Sequence, residues 1–419
     1  MTPDIKKVLI VGAGFGGLSA ALVLEKQKPE NLKIILVSDK PHFEYTPALY
    51  RVVTGRSPLE VCIPVREIVR GRNIEFSIDK IVGVDVGQKI AKGSSGSRYQ
   101  FDYLILALGS EASYFGIPGL EQFSLGFKSI PEALKLKRHL HRLFEDCVNP
   151  VGKPDEKICL LHLVVVGAGA SGVELAGELA VYTKKLASQH KVDPALITID
   201  LVEAAPRILP MFAEVVSARV ADRLRHLGIN IYVNRPMVKE DIEGIQVQGM
   251  SVKTKTVIWT AGVKPNSFYQ EAKIFEYDQK GRVIVDEYLQ AKGLKNIFVM
   301  GDGASTKYSG LAQTAISDGK LVAQNIIRML GSRPLIRQQE RKPYYVVPAG
   351  PGWAVAILGR VTIYGAVGWF VRRAADFRYF LSILSLGKAL TVFRNGRTLC
   401  EACSICLPQY NGDGFGKKI

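Results

Sequence analysis

The sequence predicts an α/β protein that contains two Rossmann-like dinucleotide-binding domains and a basic C-terminal region. Two short apolar runs each end in a glycine-rich turn that opens a helical pattern, at Val8–Gly17 and Leu163–Gly172. The second turn repeats the first 155 residues later, from Gly12 to Gly167. A strand that ends in Gly-x-Gly-x-x-Gly at a helix start is typical of dinucleotide-binding units. A single repeat at this distance indicates a duplicated domain.

Each glycine-rich turn lies inside a predicted strand–helix–strand unit. In the first unit, helix Leu18–Lys26 leads to strand Lys33–Asp39. In the second unit, helix Leu175–Ser188 leads to strand Ile197–Glu203. Short apolar runs that end in glycine are typical of buried parallel strands. The two units therefore predict two parallel sheets.

The residues of each turn have separate physical roles. The first glycine permits the tight turn, the second lets a pyrophosphate approach the backbone, and the third lets the helix pack close to the strand. The phosphates then meet the free N–H groups at the helix N-terminus. An acidic residue at the end of the second strand binds the adenosine ribose. These candidates are Gly12, Gly14, Gly17 and Asp39 in the first unit and Gly167, Gly169, Gly172 and Glu203 in the second.

Glu203 also bears on the choice of nucleotide. A carboxylate at this position repels a 2′-phosphate, which favours NADH over NADPH. Arg207 lies nearby and weakens this preference.

Three further apolar runs end in small or acidic residues. Tyr103–Gly109 and Val257–Gly262 are predicted strands where the chain crosses between domains, and Asn296–Asp302 is a predicted strand that ends in Gly-Asp. An acidic group at that place can bind the ribitol of a flavin. Lys92–Ser97 predicts a hairpin turn between Val82–Ile90 and Tyr99–Phe101.

The positive charge is concentrated near the C-terminus. From Gly331 onward there are 13 Lys and Arg residues against 4 Asp and Glu, so this part carries +9 of the net +16. The basic residues stand among Trp, Phe, Leu and Ile, which favours a membrane surface as partner. No nucleic-acid recognition motif accompanies the charge. No secretory signal precedes the first strand, so we expect a cytoplasmic, reducing environment without structural disulfides.

One stretch, Gly350–Val371, resembles a membrane span in its composition. It contains a single charge, Arg360, but also Pro351 and five glycines. Because a spanning helix needs about 20 helix-compatible residues, we expect a buried strand at Trp353–Leu358 followed by a turn and a new element.

The two units and the runs between them resemble the pyridine nucleotide–disulfide oxidoreductases, flavoproteins with two dinucleotide-binding domains. The redox dithiols of many members are missing, since neither C-x₄-C follows the first unit nor C-x-x-C occurs in the second. Within that superfamily the chain resembles the type II NADH dehydrogenases, which are single-subunit NADH:quinone reductases. The segments that carry this resemblance are His42–Gly55, Gly172–Leu179, Glu203–Pro210, Thr260–Pro265, Ala312–Gly319 and Gly365–Arg373.

The resemblance implies FAD in the first unit and NADH in the second. It implies that Gly109, Asp302 and Gln313 join the first-unit residues at FAD, and that Glu174 is the catalytic residue near the nicotinamide and flavin. A carboxylate that merely favours the helix dipole is the alternative reading of Glu174. The resemblance also places Gln313 and Ser317 at the quinone. Ser317 stands where the family has Gln, and Asp39 stands one position later than the ribose-binding acid of many members.

The resemblance further implies that Gly365–Arg373 begins a membrane-docking helix. On a helical wheel, Phe370, Ala374, Phe377, Leu381 and Leu384 form one apolar stripe, whereas Arg372, Asp376 and Ser382 fall elsewhere. Trp369, Tyr379 and several arginines are expected at the lipid headgroups. A helix at a homodimer interface is the alternative.

We therefore expect an FAD-binding domain at 1–115, an NADH-binding domain at 155–265, a second part of the FAD domain at 280–330 and a membrane or dimer region at 331–419. The expected reaction passes a hydride from NADH to FAD and two electrons to a membrane quinone, at the cytoplasmic side of the membrane, without proton pumping and without a metal. An NADH-dependent reductase of ferredoxin or rubredoxin and a regulatory flavoprotein remain alternatives. Cys400, Cys403 and Cys406 suit a metal site, lipidation or plain thiols.

Overall fold

The computed structural model describes residues 5–27, 31–148 and 161–395. The three C-terminal cysteines, Cys400, Cys403 and Cys406, lie outside these residues.

The described strands follow the chain in this order: β1 (Lys6–Val11), β2 (Leu32–Ser38), β3 (His42–Glu44), β4 (Cys62–Pro64), β5 (Glu75–Ile78), β6 (Ile81–Asp85), β7 (Ile90–Gly93), β8 (Arg98–Gln100), β9 (Tyr103–Leu106), β10 (Ser110–Ala112), β11 (Leu125–Gly126), β12 (His162–Val166), β13 (Thr198–Val202), β14 (Ile229–Tyr232), β15 (Met237–Asp241), β16 (Gly244–Val247), β17 (Met250–Lys253), β18 (Thr256–Trp259), β19 (Val263–Pro265), β20 (Gln290–Ala291), β21 (Leu294–Val299), β22 (Tyr345–Pro348), β23 (Ala354–Leu358) and β24 (Val361–Gly365).

The described α-helices are α1 (Phe15–Gln27), α2 (Leu49–Val53), α3 (Val65–Val69), α4 (Leu120–Phe123), α5 (Ile130–Val148), α6 (Ala170–His190), α7 (Glu214–His226), α8 (Phe268–Glu271), α9 (Ala312–Leu330), α10 (Ala366–Ile383) and α11 (Leu386–Asn395). Single 3₁₀ turns occur at Thr46–Ala48, Pro58–Glu60, Pro194–Leu196 and Gly301–Gly303.

The chain divides into two compact units. The first unit comprises 1–44, 63–111 and 263–343, and the second comprises 45–62, 112–262 and 344–419. Each unit contains one of the two predicted glycine-rich turns. The C-terminal elements from β22 onward belong to the second unit.

The first unit is built on a six-stranded sheet with the order β20-β21-β9-β1-β2-β5. Its central strands run parallel, and the register aligns Val11 with both Val37 and Leu106. Helices α1 and α9 pack closely through their backbones. A Cβ on Gly319 would lie only 2.4 Å from the carbonyl oxygen of Gly16, so the close approach requires glycine. The carboxyl ends of the parallel strands therefore meet at one edge, beside the N-termini of both helices.

The second unit is built on a five-stranded parallel sheet with the order β11-β18-β12-β13-β14. Its register aligns Val166 with Val202 and with Trp259. An antiparallel sheet, β22-β23-β24, precedes α10, and a Cβ on Gly368 of this helix would lie 2.3 Å from the carbonyl oxygen of Ala354. The C-terminal helix is thus held closely against its own sheet.

Most predicted elements are present. The strand expected at Trp353–Leu358 is confirmed as β23, and no helix in the described part of the chain is long and apolar enough to cross a membrane. The hairpin turn after Lys92 is also confirmed. The single strand predicted at Val82–Ile90 is wrong, since β6 ends at Asp85 and a second reversal returns the chain antiparallel as β7.

Candidate functional site

The first glycine-rich turn has the shape of a phosphate cradle. Gly12 has a φ of +102°, and a Cβ there would lie 2.4 Å from the carbonyl oxygen of Ala107. A Cβ on Gly17 would lie 1.8 Å from the carbonyl oxygen of Gly12, so only glycine lets α1 start so close to β1. A Cβ on Gly14 would meet nothing within 4 Å. The open space lies where a dinucleotide pyrophosphate approaches the backbone.

The neighbouring strand ends bring further predicted residues to the same edge of the sheet. Strand β9 lies between β1 and β21. Gly109, beyond β9, has a φ of +70°, and Gly301, beyond β21, has a φ of +62°. The hydroxyl of Ser110 donates a hydrogen bond to the carboxylate of Asp302. The sequence predicted Gly109 and Asp302 here, but it gave no indication that Ser110 would orient the carboxylate.

Asp39 lies directly beyond β2, whose last residue, Ser38, is buried. The side chain of Asp39 is exposed. A carboxylate in this place, next to the cradle strand, has access to a ribose. Its binding role remains a prediction.

The second glycine-rich turn repeats the geometry of the first. Gly167 has the same φ of +102° as Gly12, and a Cβ on Gly172 would lie 1.8 Å from the carbonyl oxygen of Gly167. A Cβ on Gly169 would meet nothing within 4 Å. The hydroxyl of Thr260 closes the turn from the adjacent strand, donating to the carbonyl oxygens of Val166 and Gly167 at 2.9 Å and 2.8 Å. The duplicated sequence therefore folds into a duplicated cradle.

Glu203 follows β13 and is fixed by backbone donors. Its Oε2 accepts a hydrogen bond from the N–H of Ala168 at 2.7 Å, and its Oε1 accepts one from the N–H of Ala205 at 2.9 Å. The carboxylate is held beside the first residues of the glycine-rich turn. This is the position from which an acidic group binds an adenosine ribose.

The guanidinium of Arg207 is directed into its own loop rather than towards the ribose-binding position at Glu203. Its Nη2 donates to the carbonyl oxygens of Pro210 and Phe212 at 3.0 Å and 3.1 Å. The guanidinium thus stabilises its own loop. This arrangement is the one expected of a site that prefers NADH over NADPH.

Glu174 lies in the second turn of α6 and is buried. Because the helix begins at Ala170 and has no acidic residue in its first turn, the reading of Glu174 as a first-turn dipole carboxylate is wrong. Its Oε1 lies 3.6 Å from Nη1 of Arg372, on α10. Burial raises the pKa of Glu174 to about 7, although Arg372 and Arg51 act in the opposite direction. A carboxyl with this pKa can take up and release a proton near neutral pH.

Arg372 belongs to a buried ion cluster, which we define as Arg51, Glu60, Glu174, Arg372, Arg373 and Asp376. Arg51 donates to Glu60 at 2.6 Å and to Asp376 at 2.9 Å. Arg373 donates to Glu60 at 2.7 Å. Although burial alone would raise the pKa of Asp376, Arg372 and Arg51 hold it below its usual value. The hydroxyl of Tyr45 donates to the same carboxylate at 2.7 Å.

The ion cluster corrects one expectation for the C-terminal helix. Several arginines of this segment were expected at lipid headgroups, but Arg372 and Arg373 are buried, as is Asp376. Of the predicted apolar stripe, Phe370 is 65% exposed and Leu381 is 40% exposed, whereas Leu384 is buried. Sequence reasoning placed Arg372 and Asp376 away from the apolar stripe but did not find their buried partners. The i,i+4 spacing of Arg372 and Asp376 was the available signal.

The predicted quinone residues lie at the start of α9, in the first unit. Gln313 and Ser317 are four residues apart, so they share one face of the helix, and both are exposed. Asp318 is turned inward, where Oδ2 accepts from the N–H of Gly301 at 3.2 Å and Oδ1 accepts from Gln338 at 2.8 Å. Burial raises the pKa of Asp318. Its carboxylate joins α9 to the turn that carries Asp302.

Comparison with known proteins agrees with this geometry. The family described as pyridine nucleotide-disulphide oxidoreductase matches residues 6–319. The type II NADH:quinone oxidoreductase Ndh of Mycobacterium tuberculosis is 33% identical over 403 residues, which cover 90% of this chain and 85% of that protein. The chain belongs to the type II NADH:quinone oxidoreductases. Another relative of this family, from Staphylococcus saprophyticus, is 28% identical over 411 residues and covers 95% of the chain and 100% of its own length.

Two solved structures share the fold of this type II NADH:quinone oxidoreductase. NDH2 from Plasmodium falciparum in complex with NADH has a TM-score of 0.84 at 20% identity, covering 93% of this chain and 97% of that one. The sulfide:quinone oxidoreductase of Aquifex aeolicus has a TM-score of 0.76 at 21% identity, covering 93% of this chain and 92% of that one. Family and fold indicate that the chain binds a flavin and NADH. The two cradles fit these groups, since each leaves open space at its second glycine.

Proposed function

We propose that this chain oxidises NADH through bound FAD and passes two electrons to a membrane quinone. The observation that carries the proposal is the duplicated cradle, in which the second copy adds a backbone-fixed carboxylate at Glu203. Family membership supports the reaction. Bound FAD supplies the two-electron chemistry that links hydride transfer to quinone reduction.

The cradle residues bind and orient the two dinucleotides. In the first unit, Gly12, Gly14 and Gly17 leave room for the FAD pyrophosphate, and Asp302, oriented by Ser110, binds the ribitol. Asp39 binds the adenosine ribose, and Gly109 and Gln313 complete the flavin contacts. In the second unit, Gly167, Gly169 and Gly172 receive the NADH pyrophosphate and Glu203 binds its ribose.

Glu174 has the proton chemistry that quinone reduction requires. Reduction of a quinone by NADH takes up one proton in addition to the hydride. The Glu174 carboxyl, whose pKa is raised to about 7, holds such a proton near neutral pH. We assign Glu174 the delivery of that proton, after which solvent reprotonates it.

Gln313 and Ser317 are proposed to contact the quinone head group. Their exposed side chains share one face of α9, and each can hydrogen-bond to a carbonyl oxygen. The hydroxyl of Ser317 reaches less far than the amide found in the family, so this contact is expected to be the weaker one.

The C-terminal helices are proposed to hold the enzyme at the cytoplasmic surface of the membrane. Several apolar side chains of α10 and α11 are exposed: Val367 (60%), Phe370 (65%), Leu381 (40%), Leu386 (61%) and Leu390 (41%). Exposed Arg378 and Arg394 accompany them. An apolar face beside arginines, in the part of the chain that carries +9, suits an anionic lipid surface.

Stopped-flow spectroscopy of the flavoprotein tests the proposal in two halves. Mixing with NADH should bleach the flavin faster than mixing with NADPH, and mixing the reduced protein with a short-chain quinone should restore the oxidised spectrum. Reoxidation by rubredoxin or ferredoxin, but not by quinone, would instead identify a reductase of a protein carrier. A reduced flavin that persists with every acceptor would identify a regulatory flavoprotein.

A further inference from the structure

We infer that Arg372 is a positioning residue for Glu174, through which helix α10 sets the location and charge of that carboxylate. The inference rests on the proposed function only in giving Glu174 a role in turnover. The link itself is a property of the ion cluster and lies wholly within the second unit.

The guanidinium of Arg372 is held from three elements. Its Nε donates to Asp376 at 3.0 Å, its Nη1 donates to the carbonyl oxygen of Val346 at 3.0 Å, and its Nη2 donates to the carbonyl oxygen of Pro47. These bonds fix the plane of the side chain. Nη1 then faces Glu174 at 3.6 Å, longer than a charge-assisted hydrogen bond. The pair is therefore close enough to interact strongly and loose enough to respond to a small movement of α10.

The surroundings make Arg372 the natural counter-ion. Arg51 also acts on Glu174, but its own nitrogens are engaged by Glu60 and Asp376. The charged and titratable groups that act on Glu174 lie on three elements: Arg372 and Asp376 on α10, Tyr50 and Arg51 on α2, and Glu178 one turn further along α6. The side chains of Glu174 and Arg372 are only 11% and 9% exposed, so solvent screens the pair weakly.

Helix α10 therefore has two separate faces. One face carries the counter-ion of Glu174, and the other carries exposed Phe370. A shift of the helix at a membrane surface would change the Arg372–Glu174 distance. The position of α10 at the membrane and the proton affinity of Glu174 are thus coupled through the side chain of Arg372.

The test is infrared titration of the oxidised protein without NADH or quinone. The C=O stretch of protonated Glu174 is assigned as the band missing from Glu174→Gln. Its loss with rising pH should have a midpoint near neutrality in wild type. In Arg372→Met the midpoint should rise by about one to two pH units, because an opposite charge at this distance lowers a carboxyl pKa by that amount. Arg372→Lys, which retains the charge, should shift it less.

Arg373→Met is the matched control. Arg373 is the next residue of the same helix and is buried in the same ion cluster, but it binds Glu60 rather than Glu174. Its removal should leave the midpoint of the Glu174 band where it is in wild type. Equal midpoints in wild type, Arg372→Met and Arg372→Lys would overturn the inference. So would equal shifts in Arg372→Met and Arg373→Met, which would mean a general loosening of the cluster.

The pH profile of quinone-dependent turnover separates this inference from the proposed function. We expect the profile to move with the infrared midpoint in Arg372→Met. If Glu174→Gln turns over quinone with the wild-type profile, the proposed role of Glu174 is wrong, while the infrared result still decides the link to Arg372.

Discussion

The carboxylate of Glu203 accepts a 2.7 Å hydrogen bond from the backbone N–H of Ala168, between the first two glycines of the second cradle. One acidic group thereby fixes the glycine-rich turn and stands where we propose that the adenosine ribose of NADH binds. In that proposal the same carboxylate repels a 2′-phosphate. We therefore expect this contact to link the fold of the second unit to its choice of nucleotide.

Glu203→Gln should weaken NADH binding and relax the discrimination against NADPH. Loss of a charged hydrogen-bond acceptor is worth about 1.5–3 kcal/mol, so the KM for NADH should rise roughly tenfold to a hundredfold. The KM for NADPH should rise less or fall. Steady-state kinetics with both nucleotides measures this. Glu214→Gln, at an exposed carboxylate of the same unit, is the control, and equal effects of the two variants would contradict the assignment.

One methyl group added to either cradle should impair the binding of one dinucleotide and leave the binding of the other unchanged. Alanine at Gly14 or Gly169 would clash with no protein atom, so both variants should fold, but the methyl fills the space that a pyrophosphate needs. Gly169→Ala should keep its flavin and bind NADH roughly tenfold or more weakly. Gly14→Ala should lose flavin during purification. Flavin absorbance and NADH titration measure both outcomes, and loss of flavin from Gly169→Ala would show that the units are assigned the wrong way round.

Much of this arrangement could be predicted from the sequence, because backbone geometry dictates glycine at the cradles and apolar periodicity dictates the strands. Gly12 and Gly167 have a φ of +102°, which favours glycine. The strand, glycine-rich turn and helix pattern around each of them predicts this turn. The ion cluster could not be predicted in the same way. Arg51 and Asp376 are 325 residues apart and meet only after folding. An arginine beside an apolar stripe of a helix looks like a surface residue until its partners are known.

Glu174 should make the protein's stability depend on pH. Its pKa is about 7 when folded, against a usual value of 4.5. Between these values the folded state holds a proton that the unfolded state releases, so this group lowers stability as pH rises towards 7. Glu174→Gln should therefore gain in Tm relative to wild type as the pH rises from 5.5 to about 7, with no further gain above it. Thermal melts across this range measure the difference, and a gap that is constant with pH would contradict the raised pKa.

Ser317→Gln should strengthen quinone binding. The longer amide restores the reach that the family's Gln provides, and one neutral hydrogen bond is worth about 0.5–1.5 kcal/mol. We expect the KM for a short-chain quinone to fall roughly threefold to tenfold, with the KM for NADH unchanged. An unchanged quinone KM would move the quinone contact away from this face of α9.

Phe370→Ser combined with Leu386→Ser should weaken attachment to membranes. Both side chains are more than 60% exposed on the C-terminal helices. Sedimentation with vesicles containing anionic phospholipid should recover much less of the double variant than of wild type. Ile242→Ser, at a 71% exposed residue beyond β15, should sediment as wild type does. If the double variant instead keeps its vesicle binding and changes from dimer to monomer, the apolar face is a dimer interface.

The most direct test of the central claim is steady-state oxidation of NADH by the purified flavoprotein, with and without a short-chain quinone. The account predicts slow oxidation without quinone and fast oxidation with it, one quinone being reduced for each NADH. NADH oxidation that is equally slow in both conditions, in a protein whose flavin NADH readily reduces, would contradict quinone as the acceptor.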